Sequence, residues 1–149
     1  MIEIMVSLAL IAIISTVAVL NLFSFRTHQD LDLEAKAIVG MLRDAQARSI
    51  TQEESQQWGV YFDAGDPDSY VFFKGTSYPS GGTLVLKKVL KSSIEFYSPS
   101  QGSNRTVLFS KIYGKPDGAA NVGVRIKNAD CAVELEKCKV VSVNVQGAI

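Results

Sequence analysis

Ile2-Glu3-Ile4-Met5-Val6-Ser7-Leu8-Ala9-Leu10-Ile11-Ala12-Ile13-Ile14 opens a run that stays apolar as far as Phe25. From Ile4 onward it is broken only by Ser7, Ser15, Thr16, Asn21 and Ser24, with no Lys, Arg, Asp, Gly or Pro. A helix needs ~20 such residues to cross the hydrocarbon core of a bilayer. Inside hydrocarbon the backbone must satisfy its own hydrogen bonds, so an isolated span of this kind is helical. The run therefore predicts a transmembrane segment over residues 1–25. A carboxylate at its start is costly unless it snorkels or meets a cation, so Glu3 is expected to have a partner.

Outward from this run comes a polar hinge, Arg26-Thr27-His28-Gln29-Asp30. Apolar residues then recur at Leu31, Ala35, Ile38, Leu42 and Ala45, whose spacing makes one helical face. One continuous helix from Ile2 to about Gln52 is expected, ~75 Å long at the usual rise. Its first half is apolar all round, and residues 26–54 are amphipathic. After Gln52 the period changes. Strands are predicted at Trp58–Phe62, Ser69–Lys74, Thr83–Val89, Ser93–Tyr97, Arg105–Phe109, Val122–Lys127 and Lys139–Val145, punctuated by Gly and Pro. The expected fold class is α+β, a long N-terminal helix laid on an antiparallel β-sheet domain spanning 55–149.

The 149 residues carry 15 basic and 15 acidic side chains. A balance of this kind lacks the clustered basic stripe of a nucleic-acid binder and reads as a mixed-sign solvated surface. Orientation is poorly signalled, because Arg26 is followed by Asp30, Asp32 and Glu34. Cys131 and Cys138 suit a local disulfide in an oxidising compartment, the alternative being two buried thiols. Zinc needs four ligands, and the one histidine, His28, is far away in sequence.

The opening residues resemble the N-terminus of type IV pilins and pseudopilins, which reads G-F-T-L-I-E-hydrophobic and is cut by a prepilin peptidase after the Gly. Ile2-Glu3 matches the family's I-E, with Met1 in place of its Leu. The leader, the cleavage-site Gly and the first two mature residues do not precede Met1, so the start is expected to be truncated, misassigned or written without its leader. The remainder looks like the GspH/FimT-type minor pseudopilins. Ala45-Gln46-Ala47-Arg48-Ser49 matches the stretch that ends their helix. Ile94-Glu95-Phe96, Gln101-Gly102 and Val141-Ser142-Val143-Asn144-Val145-Gln146-Gly147 echo their later strands and glycine turns. The resemblance implies a pilin-like fold, single-pass insertion in the inner membrane and a globular domain outside the cytoplasm. It also implies other pilin or pseudopilin subunits, an assembly platform and the prepilin peptidase as partners. Glu3 would pair with the N-terminal amine of a neighbouring subunit. Ser7, Ala9, Ala12, Ser15 and Ala18 are small enough for close helix approach.

Enzyme chemistry finds little footing. A Ser-His-Asp hydrolase needs a histidine beside its serine, and His28 sits next to the apolar run. No Gly-x-Ser-x-Gly, P-loop or His-Glu-x-x-His is present. Asp63, Asp66, Asp68 and Asp117 lie in turn-like segments, where turn chemistry explains them. The first three are also weak candidates for calcium, although Pro67 and the spacing depart from an EF-hand. The expected function is a structural filament subunit with no cofactor. Its rival is a DNA-binding minor pilin, for which Lys111, Lys115, Arg125, Lys127, Lys137 and Lys139 are the available cations. The related DNA-binding branch uses basic residues near the C-terminus, whereas this chain closes Val145-Gln146-Gly147-Ala148-Ile149.

Overall fold

The computed structural model describes the backbone of residues 2–149 and the side chains of residues 3–13, 15 and 25–149. One helix, α1 (Ile2–Ile50), is followed by β1 (Trp58–Asp63), β2 (Ser69–Gly75), β3 (Gly82–Val89), β4 (Ile94–Ser98), β5 (Asn104–Phe109), β6 (Ala120–Ile126) and β7 (Cys138–Val143). Short 3-10 turns lie at Glu53–Ser55 and Leu135–Lys137. The chain is α+β, a long helix packed on antiparallel sheets, with each strand within three residues of its expected bounds. The expected transmembrane segment over 1–25 falls partly on side chains outside those described. Among the described residues no helix is long and apolar enough to cross a membrane.

The helix runs without a break because nothing before Gln52 stops it: it contains no proline, and its one glycine, Gly40, meets open space. It ends where Gln52 takes a left-handed conformation, φ 53°. That geometry terminates helices by turning the chain away, and glycine usually supplies it.

The strands divide between two sheets rather than forming the single sheet expected. One has the order β3-β2-β1-β5 and the other β4-β6-β7, all pairs antiparallel. The division arises after Val89. Leu90 and Ile94 turn into the core, which carries β4 off the β3 edge and across to the other side. Phe96 on β4 then meets Phe62 on β1 edge-on, with ring centroids 5.8 Å apart. This is a favoured arrangement for aromatic quadrupoles.

Helix α1 contacts β1 and β5 of one sheet and β6 and β7 of the other. Leu31, Ile38, Leu42 and Ala45 are fully buried in the common core, and Ala35, Val39 and Met41 are partly buried against it. The amphipathic stripe read from the sequence is thus the seam between helix and sheets. Burying each large aliphatic side chain here contributes about 1.5–3 kcal/mol. Leu42→Ala is expected to cost about 2–5 kcal/mol, read as a lower urea midpoint with an unchanged slope. Leu33→Ala, on the exposed face, should stay within about 0.5 kcal/mol of the parent.

Candidate functional site

Two kinds of surface meet on α1. From Ile4 to Ile13 every described large aliphatic side chain is at least half exposed, Met5 the most at 73%. These residues face all directions around the helix, and no strand covers them. Two hydroxyls in and just beyond the stretch bond back to the helix: Ser7 Oγ donates to the Glu3 carbonyl and Ser15 Oγ to the Ile11 carbonyl, both at 2.8 Å. Such back-bonding removes an unpaired donor from an apolar surface. Glu3 is exposed and forms no ion pair among the described residues. Ser7, Ala9, Ala12 and Ser15 are exposed as well, and Ala18 lies outside the described side chains.

Where the helix joins the domain, three acids hold three lysines. Asp30 pairs with Lys91, Asp32 with Lys139 at 3.1 Å, and Glu34 with Lys88 at 3.0 Å. In the sequence Asp30, Asp32 and Glu34 register only as negative charge beside the apolar run. The fold uses them to tie α1 to β3, to the β3–β4 turn and to β7. Glu34 is buried at 4% exposure, and its carboxylate also accepts the Tyr70 hydroxyl at 3.2 Å. A buried carboxylate needs such partners, since an unpaired one costs several kcal/mol. Burial would lower the Lys88 pKa, but hydrogen bonds to Glu34 and Tyr70 outweigh it and hold the ammonium above its ordinary value. Burial raises the Tyr70 phenol. The Lys139 hydrogen bond and charge hold Asp32 below the ordinary carboxylate range.

The segment Ala45-Gln46-Ala47-Arg48-Ser49 joins the helix end to the sheet. Ala45 is buried, and Gln46 Nε2 donates to the carbonyls of Gly114 at 3.0 Å and Gly147 at 2.9 Å. Arg48 pairs with Asp44 and Glu53 and lies over the Trp58 ring at 4.9 Å. Ser49 is fully buried and its hydroxyl accepts the Trp58 N–H at 3.0 Å. Gly114 has φ +60° and packs on Ile50, where a Cβ would come within 2.7 Å of Ile50 Cδ1. Local periodicity gives no reason for Gln46 or Ser49 to be polar on this face; their partners come from β1 and from two loops far along the chain.

Cys131 and Cys138 form a disulfide, with Cα atoms 5.7 Å apart, across the connection between the paired strands β6 and β7. The bond lies within the usual Cα range and shortens a connection that would otherwise lose more conformational entropy on folding.

The acidic turn is not gathered into a metal site. Among the described residues no three His, Cys, Asp or Glu side chains come together to hold an ion. Asp68 instead turns inward as a buried acceptor: its carboxylate takes the Phe96 N–H at 2.5 Å and Gln101 Nε2 at 3.2 Å. Gln101 also donates to the Phe96 carbonyl at 3.0 Å. Turn chemistry, the reading made for Asp68 from sequence, is thus replaced by a polar bridge between β2 and β4, one strand from each sheet. Burial raises the Asp68 pKa, and the two hydrogen bonds oppose that rise without cancelling it. Asp66 and Asp68 line a cleft of about 350 Å³ together with Lys91, Glu95, Gln101 and Lys127. Most of these side chains are already engaged, Lys91 by Asp30 and Glu95 by Arg125. His28 lines a shallow cleft with Thr27, Lys127, Glu134 and Lys137, which contains no serine or cysteine.

Two outcomes follow for Asp68. Asp68→Ala strands the buried Phe96 N–H and should cost about 1–3 kcal/mol in chemical denaturation. Because its folded pKa is raised, Asp68 adds stability below the ordinary aspartate range and loses that contribution as pH rises through the folded value. Asp68→Asn should remove this dependence and leave neutral-pH stability close to that of the parent. For the disulfide, the Cys131→Ala/Cys138→Ala double variant should lose about 2–3 kcal/mol. The chain matches no protein-family model, and no significant match is found to a curated protein or to a solved structure.

Proposed function

We propose that the chain is a structural minor subunit, a pseudopilin or minor pilin, of a type II secretion or type IV pilus filament. It is held before assembly in the inner membrane, with its globular domain outside the cytoplasm. The observation that carries this reading is the contrast along α1: a C-terminal half with one face sealed into the domain, and a stretch near its start, Ile4–Ile13, whose apolar side chains are exposed all round. Among the described residues nothing covers Ile4–Ile13, and such a surface is stable in lipid or against like helices. The sequence run on to Phe25 makes it long enough to span. The Cys131–Cys138 bond supports an extracytoplasmic domain, since cytosolic thiols are kept reduced. In this reading prepilin peptidase processes the chain, an assembly platform extracts it, and the apolar helices exchange lipid for one another. Glu3, exposed among apolar neighbours, pairs with the terminal amine of an adjacent subunit and sets register. The chain acts without a cofactor and is not an enzyme.

The rival reading, DNA binding, is weakened by what the cations already do. Arg125 is paired with Glu95, Lys137 with Glu134 and Lys139 with Asp32, and Lys111 donates to the Ser55 carbonyl. Carboxylates thus partner three of the six, which leaves Lys111, Lys115 and Lys127, too few for a phosphate-tracking stripe.

Glu3→Ala is the discriminating variant. It should insert into membranes as well as the parent, because removing a charge from the helix start eases insertion. It should fail to enter filaments in a pull-down or shear assay. Normal incorporation would remove the pairing role, and recovery of the parent chain in the detergent-free soluble fraction would remove the anchor.

A further inference from the structure

The disulfide-closed connection between β6 and β7 lies at the end of the domain where the apolar half of α1 departs. Thr27 and His28 line one cleft with Asn128, Ala129, Glu134 and Lys137. Phe25, Gln29 and Asp32 line a second with Glu136 and Lys139. The connection therefore sits at the level of helix residues 25–32, around Leu31, the first fully buried helix side chain among the described residues. On this connection Val133 and Leu135 are 79% and 75% exposed, and Phe25 beside it is 59% exposed. They alternate with Glu134 and Glu136, which line the clefts against the helix. Branched aliphatic side chains this open, on a loop closed at both ends by a covalent bond, present a fixed apolar tip.

We infer that the Cys131–Cys138 loop is a membrane-surface contact: Val133 and Leu135 seat in the headgroup–acyl boundary of the bilayer that holds the chain before assembly. The inference rests on the anchored reading proposed above. If residues 4–25 span the hydrocarbon, Phe25 marks its outer edge. Residues 25–32 then cover only ~10 Å of helix above that edge. Interfacial elements bury their apolar side chains ~5–10 Å into this same zone. The sequence stays apolar from Ile4 to Phe25, and Phe25 lies beside the connection that carries Val133 and Leu135. Arg26 and Lys127, which flank it, form no ion pair among the described residues and suit lipid phosphates. The loop thereby fixes the tilt of the domain on the membrane, and assembly has to release it.

The test uses the full chain in phosphatidylethanolamine–phosphatidylglycerol vesicles, with and without brominated acyl chains. Leu135→Trp places a tryptophan at the loop tip, and Tyr113→Trp places one at the opposite end, beside the helix terminus at Ser49 and Ile50. Trp58, buried in the core, supplies a constant background. The expected result is flotation with the vesicles, about a twofold fall in the added emission for Leu135→Trp with brominated lipid, and no fall for Tyr113→Trp. Flotation without quenching of Leu135→Trp overturns the loop contact and leaves the anchor standing. Equal quenching of both variants overturns it too, since the contact would not belong to the loop. Failure to float overturns the anchored reading and the loop contact together.

Discussion

The burial of one helical stripe holds this structure together. The two sheets share no strand pairing, so backbone hydrogen bonds do not join them. What unites them is a core in which Leu31, Ile38, Leu42 and Ala45 of α1 meet Val60 and Phe62 from one side and Phe96, Val122 and Val141 from the other. The apolar area removed from water at this seam is the main term favouring the assembled domain. It also decides which half of α1 belongs to the domain. Before Leu31 the described side chains of the same helix are exposed from Glu3 to Ile13 and again at Phe25 and Arg26.

Polar groups refine this arrangement by removing alternatives. Asp68 joins the beginning of β2 to the middle of β4, and Gln101 closes the same network. Glu34, Lys88 and Tyr70 set the rotation of the helix about its own axis, because a carboxylate buried here is tolerated only when it finds both partners. Arg48 and Ser49 hold the last turn against Trp58, and Gln46 gathers the loops at Gly114 and Gly147. The helix is therefore secured at both ends of its packed half: at the departing end by ion pairs to three lysines, and at the far end by hydrogen bonds to backbone.

This division of α1 frames the proposed role. A subunit that moves from membrane to filament needs a helix whose exposed half is satisfied in either setting and a domain that survives the transfer unchanged. Apolar side chains meet the first need, since lipid tails and neighbouring helices solvate them alike. The doubly secured packed half and the disulfide meet the second.

Much of this was legible in the sequence, and the physical reasons are specific. The continuous helix, its buried stripe and all seven strands follow from local periodicity, because facing a core imposes a repeat of 3.6 or 2 on the side chains. The Cys131–Cys138 pairing was legible from short spacing between two strands. The split into two sheets was not, because it depends on where Leu90 and Ile94 turn after β3, and no local pattern states which strand β4 will meet. Nor were the roles of Asp68 and Glu34. In sequence each is a charged residue in a polar neighbourhood. Each becomes a buried acceptor only when Phe96 and Gln101, or Tyr70 and Lys88, arrive from tens of residues away. By itself the sequence determined the elements and the two characters of the helix. Only the tertiary structure decided which charges are internal, because a carboxylate's environment is set by partners that folding brings to it.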